Sequence, residues 1–507
     1  MHPRNPYKDS IDFYSLADLF PLLKPYVSLS SSGKYSIDFK DPDAQRTLTQ
    51  ALLKRDFNLT LTLPDHRLCP PVPNRLNYIL WIQDILSTFQ NSASNQAIKG
   101  LDIGTGASAI YPLLACSLPN TREWTFVGTE IDSLSASYAH RNVEINNLQS
   151  RITIWPIQSP LDVTADSAIL TPLTQDPESR FDFTMCNPPF YGSASEIKDS
   201  AKAKVLPPNA VCTGAETEMI TPGGETAFVL QMLHESARRD VQGRCRWFTS
   251  MLGKLSSVGE IVSQLRKMNI DNYGLSQFTQ GTTRRWAVAW SFGDERLSDL
   301  VARPSASSLS SYLPAPTTLR QIFFTPSQHM SAPTFQIVSS PYHEDLKPTL
   351  SRILESLRGI SFYFSNEMTP GSVTNKRWSV NVVAYENTWS RSARRKRKRS
   401  ISPSTENTRK TALPESDSAQ PEITLLEKQL KKIQEVTPRP ALQCCISART
   451  PESQDNLQKN TGSCHMTLEA QWMRGCNRAL FDSFWSHMCH RIRDSVEAGS
   501  TRDVTPR

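Results

Sequence analysis

The sequence predicts an α/β protein with a mainly parallel sheet, followed by a smaller α+β domain. Three observations lead there. Over residues 1–293 short apolar runs alternate with helical patterns, the order that yields parallel strands joined by helices. A glycine-rich segment, Leu101-Asp102-Ile103-Gly104-Thr105-Gly106-Ala107-Ser108, follows one of these runs and opens a helix. Beyond a Ser- and Pro-rich stretch, apolar patterning resumes, is broken by a long polar segment, and resumes again.

Taken in order, the clearest strands are Ile98 to Ile103, Trp124 to Ile131, Phe181 to Cys186, Arg246 to Leu252 and Arg285 to Phe292. The last alternates Trp286, Val288 and Trp290 with Ala287 and Ala289, which predicts burial on both faces. Ser135 to Asn147 reads as a helix after the second strand. Residues 294–316 (ARPSASSLSSYLPAPTT and its flanks) read as a linker. TFQIVSS then predicts a strand, His343 to Arg358 a helix, ISFYFSN a strand and RWSVNVVAYENTW a longer one. Residues 391–462 are charged and Pro-rich and predict disorder, with Leu425 to Val436 as a short helix inside it. After it, CHMTLEAQW predicts a strand, and Asn477 to Asp494 an amphipathic helix with Leu480, Phe481, Phe484, Trp485 and Met488 on one side. The segments at 317–390 and 463–494 are each too small to bury their apolar faces, so they predict one split domain.

Composition narrows the function. The chain has 507 residues, a length for roughly three to four domains of about 150 residues. No apolar run reaches the ~18 residues of a membrane span, and MHPRNPYKDSID has no apolar signal region. The 10 cysteines form no CxxC pair, which predicts reduced thiols and no metal site. The net charge is +7, and RSARRKRKR at 391–399 alone holds seven cations, so the remainder is near neutral. Such a tract suits nuclear import, a nucleic-acid tether or a solvated linker.

Two motifs carry chemistry. In the first, the loop from Asp102 to Ser108 lets a ligand approach the backbone, and Glu130 closes the next strand, where a carboxylate can accept hydrogen bonds from ribose hydroxyls. Together they point to an adenosine cofactor. In the second, the strand from Phe181 ends in Asn187-Pro188-Pro189-Phe190. The exocyclic amine of adenine is a weak nucleophile because its lone pair is delocalised into the ring. The Asn187 side-chain oxygen and a backbone carbonyl can accept its two N–H bonds and turn the lone pair toward an electrophile. Pro188 and Pro189 fix that carbonyl and remove competing donors, and Phe190 can stack on an extruded base.

These blocks resemble the methyltransferase-like-sixteen family, the N6-adenosine methyltransferases acting on U6 spliceosomal small nuclear RNA. The resemblance covers residues 1–293 and rests on MHPRN-YKD, FKDPDAQRTLT, RLNYILWIQD, DIGTGASAIYPLL, CNPPFYGS, TGAETEMITPGGE, RWFTSMLGK and QGTTRRWAVAWSF. It implies a class I, Rossmann-like methyltransferase domain at 75–293 preceded by an RNA-binding module at 1–74. S-adenosylmethionine is the implied cofactor, held by Arg75 (carboxylate), Gly104, Ser108, Glu130, Ser159 and the neighbourhood of Asn187. Arg4, Lys8, Lys40, Lys254, Arg284 and Arg285 are the implied RNA contacts. The split domain at 317–390 and 463–494 is similar in outline to the family's second RNA-binding domain. Pro6 and Thr282 stand where basic residues are expected, and Gln158 replaces a Lys tied to autoinhibition in animal members.

The expected activity is methylation of adenosine N6 in structured RNA, with U6 small nuclear RNA as substrate. The alternatives are another Asn-Pro-Pro enzyme (a ribosomal RNA adenine or protein glutamine methyltransferase) and a non-catalytic RNA-binding scaffold. The amide enzymes commonly place Tyr directly after the prolines, whereas here Phe190 comes first and Tyr191 second. The basic tract predicts the nucleus, with the cytoplasm as a second compartment.

Overall fold

A computed structural model describes residues 1–30, 33–88, 97–157, 168–197, 214–281, 283–324, 342–367, 377–393, 395, 439–449 and 465–500. The chain divides into two compact units, Met1–Gly293 with Asp299–Ala315, and Asp294–Ser298 with Pro316–Arg507.

The first unit opens with α1 (Phe13–Leu19), the hairpin β1 (Val27–Leu29) and β2 (Tyr35–Ile37), and α2 (Pro42–Phe57). Asp12 and Asp41 cap the two helices by accepting backbone N–H groups of their first turns. Helix α3 (Val72–Ser87) comes next, so the expected boundary between 74 and 75 falls inside a helix. The amino-terminal residues are built onto that helix. Asn5 donates to Pro73 O (2.9 Å) and Asn77 Oδ1 (2.8 Å), and the His2 N–H donates to Asn77 Oδ1 (2.9 Å). Residues 1–74 therefore belong to the same compact unit as residues 75–293.

The sheet has seven strands in the order β5-β4-β3-β6-β7-β9-β8. These are β3 (Ile98–Ile103), β4 (Trp124–Glu130), β5 (Ile152–Pro156), β6 (Phe181–Cys186), β7 (Cys245–Leu252), β8 (Tyr273–Gln280) and β9 (Thr283–Trp290). The first five in spatial order run parallel, and β9 and β8 are antiparallel. Helices α4 (Ile110–Ser117), α5 (Ser133–Ile145), α6 (Thr171–Gln175), α7 (Glu216–Met219), α8 (Gly224–Ser236) and α9 (Leu255–Lys267) fall between the strands. Gly100 in β3 is required by packing: a Cβ there would meet the Phe183 ring at 2.6 Å and the Phe126 ring at 2.7 Å.

The linker expectation at 294–316 is corrected. Residues 299–315 pack onto the first unit through α10 (Asp299–Ala302) and the buried Ala302 and Leu309, and Tyr273 Oη donates to Tyr312 O (2.9 Å). Residues 294–298 join the second unit, where Leu297 is buried and Glu295 pairs with Arg474 (2.6 Å). The stretch is Ser- and Pro-rich, but its few apolar side chains anchor it.

The second unit is a five-stranded antiparallel sheet in the order β10-β14-β13-β12-β11. Its strands are β10 (Thr318–Phe324), β11 (Ile360–Glu367), β12 (Arg377–Ala384), β13 (Leu442–Arg449) and β14 (His465–Arg474), with helices α11 (Tyr342–Glu355) and α12 (Arg478–Ser500). Val380, Val382, Cys444, Ile446, Leu468 and Ala470 are buried in one core with Leu350 and Ile353 of α11 and Phe481, Phe484 and Met488 of α12. Trp472 stacks on Phe481 at 5.7 Å. Strand β13 corrects the insertion boundary at 462: it lies within the stretch expected to be disordered, yet it is an interior strand of this sheet. TFQIVSS, Leu425 to Val436 and most of the basic tract lie outside the described residues.

Candidate active site

Strand β3 and its neighbours deliver three polar groups to one end of the sheet. Ile103 pairs with Thr129 of β4 and with Cys186 of β6, so the glycine loop, Glu130 and Asn187 emerge side by side. Gly104 (φ 68°) and Gly106 (φ 67°) are left-handed, which glycine adopts at no steric cost, and a Cβ on Gly104 would meet none of the described residues within 4 Å. The loop is therefore an open cradle. Ser108, at its end, is buried.

Asp102 is fully buried. Its Oδ2 accepts from Thr105 Oγ1 (2.7 Å), and its Oδ1 has no partner among the described residues. Burial pushes the carboxyl up to about 7, against the hydrogen bond from Thr105 and the field of Arg75. Arg75 projects from α3, is 6 % exposed, donates from Nη1 to Tyr111 Oη (3.0 Å), and its Nε has no partner among the described residues. The Asn187 Oδ1 is likewise buried and has no partner among the described residues. Three buried polar atoms without partners, next to an open glycine cradle, are what a polar ligand would satisfy.

Glu130 is engaged by the chain itself. Its Oε2 accepts from the Gly106 N–H (2.8 Å), and its Oε1 accepts from the N–H groups of Ile131 and Asp132 (both 2.9 Å). Burial raises its pKa, and these bonds oppose the shift.

The turn after Asn187 is flanked by cations. Arg285 lies over the Phe190 ring at 5.4 Å, and Lys254 lies over the Tyr191 ring at 5.7 Å. Lys254 also pairs with Glu196, whose other oxygen accepts the Gly192 N–H (2.6 Å). Pro188 is buried, and Pro189 and Phe190 are half-buried. The expected RNA contacts are spread more widely. Lys8, Lys40 and Arg284 are exposed, while Arg4 is tied to Leu80 O, Gln83 and Asp84 of α3. Ser159, Gln158 and Thr282 lie outside the described residues.

Sequence reasoning missed several supporting residues. Tyr111 orients Arg75. Glu225, 1 % exposed, accepts from the N–H groups of Gly253 (2.7 Å) and Lys254 (2.9 Å) and from Ser257 Oγ (2.6 Å), and so shapes the loop that carries Lys254. Glu218 accepts the N–H groups of Leu68 (3.1 Å) and Ala215 (2.8 Å). Both acids sit in the block TGAETEMITPGGE, which was legible as a block but not as contacts.

Comparisons with known proteins bear on this site. The sequence profile of a family described as RNA methyltransferase matches residues 1–294. The chain is similar to the human RNA N(6)-adenosine-methyltransferase METTL16, 36% identical over 412 residues, covering 79% of this chain and 68% of that protein. It is similar to the U6 small nuclear RNA (adenine-(43)-N(6))-methyltransferase of Schizosaccharomyces pombe, 44% identical over 290 residues, covering 57% of this chain and 71% of the relative. Among solved structures, the human Mettl16 catalytic domain in complex with the MAT2A 3'UTR hairpin 1 is similar at a TM-score of 0.50 and 40% identity, covering 58% of this chain and 95% of that one.

Proposed function

The chain belongs to the RNA methyltransferase family that matches residues 1–294, and from that premise we propose that it methylates the N6 amine of an adenosine in structured RNA, with U6 small nuclear RNA as its substrate. The observation that carries the assignment is the buried, unpartnered Asn187 Oδ1 at the end of β6, beside the glycine loop.

S-adenosylmethionine is the methyl donor, and its sulfonium supplies an electrophilic carbon. The residues present fit it: the cradle at Gly104 to Ser108 is open, and Asp102 Oδ1 and Arg75 Nε are buried without partners. In this reading Arg75 binds the carboxylate, Glu130 the ribose, and Gly104 and Ser108 line the amino-acid end. Asn187 Oδ1 and the Pro188 carbonyl accept the two N–H bonds of the target amine and aim its lone pair, an interaction worth most as charge develops on nitrogen. Phe190 supplies the face on which the extruded adenine stacks, and Arg285 above that ring contributes to the same aromatic stack. Lys254, Arg284, Lys8 and Lys40 supply phosphate contacts. Arg4 acts through α3, where its guanidinium already has partners.

The second unit, by the same proposal, is an accessory RNA-binding domain without catalytic groups. The tract at 391–399 directs the protein to the nucleus, and its deletion is expected to leave the protein cytoplasmic in imaging. The direct test of the activity is incubation of purified protein with methyl-labelled S-adenosylmethionine and either a U6 hairpin or total protein. Label on the RNA is expected, and label on protein alone would favour the amide-methylating alternative.

A further inference from the structure

The carboxylate at the end of β4 is short of free acceptor positions. A ribose presents two neighbouring hydroxyls, and one carboxylate with both oxygens free could accept both. Here the Glu130 Oε1 already takes two backbone N–H bonds and its Oε2 takes one. Each carboxylate oxygen has about two lone-pair positions, so a single position remains, on Oε2.

Glu218 borders the same glycine. Its Oε1 lies 3.9 Å from where a Cβ on Gly106 would stand. Its Oε2 is anchored by the N–H groups of Leu68 (3.1 Å) and Ala215 (2.8 Å), which fixes the carboxylate while Oε1 accepts no hydrogen bond among the described residues. Burial raises the pKa of both carboxyls, and the charge of Glu218 raises that of Glu130 further. The field of Arg67 opposes the shift at Glu218, and hydroxyl donors placed between the two carboxylates would relieve their mutual repulsion. Asp102 Oδ1 and Asn187 Oδ1, both buried, have no partner among the described residues, so the surroundings are those of a ligand pocket rather than a closed core.

We infer that Glu218 is a cofactor-binding residue: its Oε1 and the Glu130 Oε2, both bordering Gly106, each accept one hydroxyl of the cofactor ribose. The inference rests on the proposal that the pocket holds S-adenosylmethionine. The role explains why an acid on a short helix remote in sequence from the glycine loop is held by one oxygen only. It also makes the pocket selective for a ribonucleoside over a deoxyribonucleoside.

Calorimetric titration of the full chain with S-adenosylhomocysteine and with its 2'-deoxy and 3'-deoxy analogues tests it, using wild type and Glu218→Gln. The Gln variant keeps an oxygen for Leu68 and Ala215 but presents an amide donor where Oε1 was. The wild type is expected to bind each deoxy analogue roughly ten- to hundred-fold more weakly than the parent, as for loss of a charge-assisted hydrogen bond. Glu218→Gln is expected to bind the parent more weakly by the same range, and to lose discrimination against one of the two analogues while keeping it against the other. A uniform loss across all three ligands would make Glu218 a mere loop anchor and overturn the inference alone. So would wild-type affinities that ignore both hydroxyls, a result that needs no variant. A wild type that binds no S-adenosylhomocysteine would instead overturn the cofactor reading, and the inference with it.

Discussion

At the residue scale, the unpartnered atoms of the site set the expected effects of substitution. Asn187 Oδ1 has nothing to lose in the free protein, so Asn187→Ala orphans no partner of that oxygen. The variant is expected to keep its thermal midpoint and cofactor affinity while its methylation rate falls at least about a hundred-fold. Glu130 is the opposite case. Glu130→Ala strips acceptors from three backbone N–H groups, so unfolding in urea should show a loss of ~1–3 kcal/mol, alongside weaker cofactor binding. Asp102 sets a pH dependence. Its native carboxyl is raised to about 7 from an ordinary 3.8, so between those values the native state holds a proton that the unfolded chain has released. Stability from this group is full below the lower value and falls as pH rises through the upper one. Asp102→Asn cannot ionise, so its gain in thermal midpoint over wild type is expected to be larger at pH 8 than at pH 5. Equal gains at the two values would contradict the assignment.

At the element scale, strand position in the first unit tracks what could be read from the sequence, whereas in the second unit the edge strand β11 was legible and the interior strand β13 was not. Strands β3, β4, β6, β7 and β9 lie inside the sheet and carry dense apolar runs, and each was legible. Strands β5 and β8 are the two edges, and their Ile-Thr-Ile and Tyr-Gly-Leu-Ser-Gln patterns are too sparse to stand out. Asp102, Glu130 and Asn187 were legible because they end strands. Glu218, Glu225 and Tyr111 were not, because they act on partners remote in sequence. Asn142 on α5 belongs with them. Its Oδ1 accepts the Thr62 N–H (2.8 Å), and its Nδ2 donates to Thr62 O and Ala107 O (both 2.9 Å), tying the segment after α2 to the cofactor loop. Asn146, one turn on and half-buried, makes the same pair of bonds to Thr60 (both 2.8 Å). Asn142→Ala leaves buried groups unpaired and is expected to cost ~2–3 kcal/mol of stability, whereas Asn146→Ala, where water can substitute, should cost about 1 kcal/mol or less. Denaturant titration of the two variants separates these values.

At the scale of the whole molecule, two units with separate cores share one chain, and residues 391–438 separate adjacent strands of one sheet. Strand β12 pairs with β13 from Ser379↔Ser447 to Ala384↔Leu442, and β14 is interior between β13 and β10. A protease site engineered between residues 401 and 438 is therefore expected to yield two fragments that co-elute on a sizing column, while truncation before 465 should collapse the second unit. The net charge of +7 equals the seven cations of 391–399, so deletion of that tract is expected to lower the salt dependence of RNA binding, and what survives comes from cations of the two units, Lys8, Lys40, Lys254 and Arg284 among them. The central claim, that this chain methylates adenosine N6 in structured RNA through Asn187, is tested most directly by one assay. A synthetic U6 hairpin is incubated with S-adenosylmethionine and either wild type or Asn187→Ala, digested to nucleosides, and analysed by mass spectrometry. N6-methyladenosine is expected with the wild type and at no more than about one-hundredth of that level with the variant. Equal levels from the two proteins, or methyl groups on any other nucleoside position, would contradict the account.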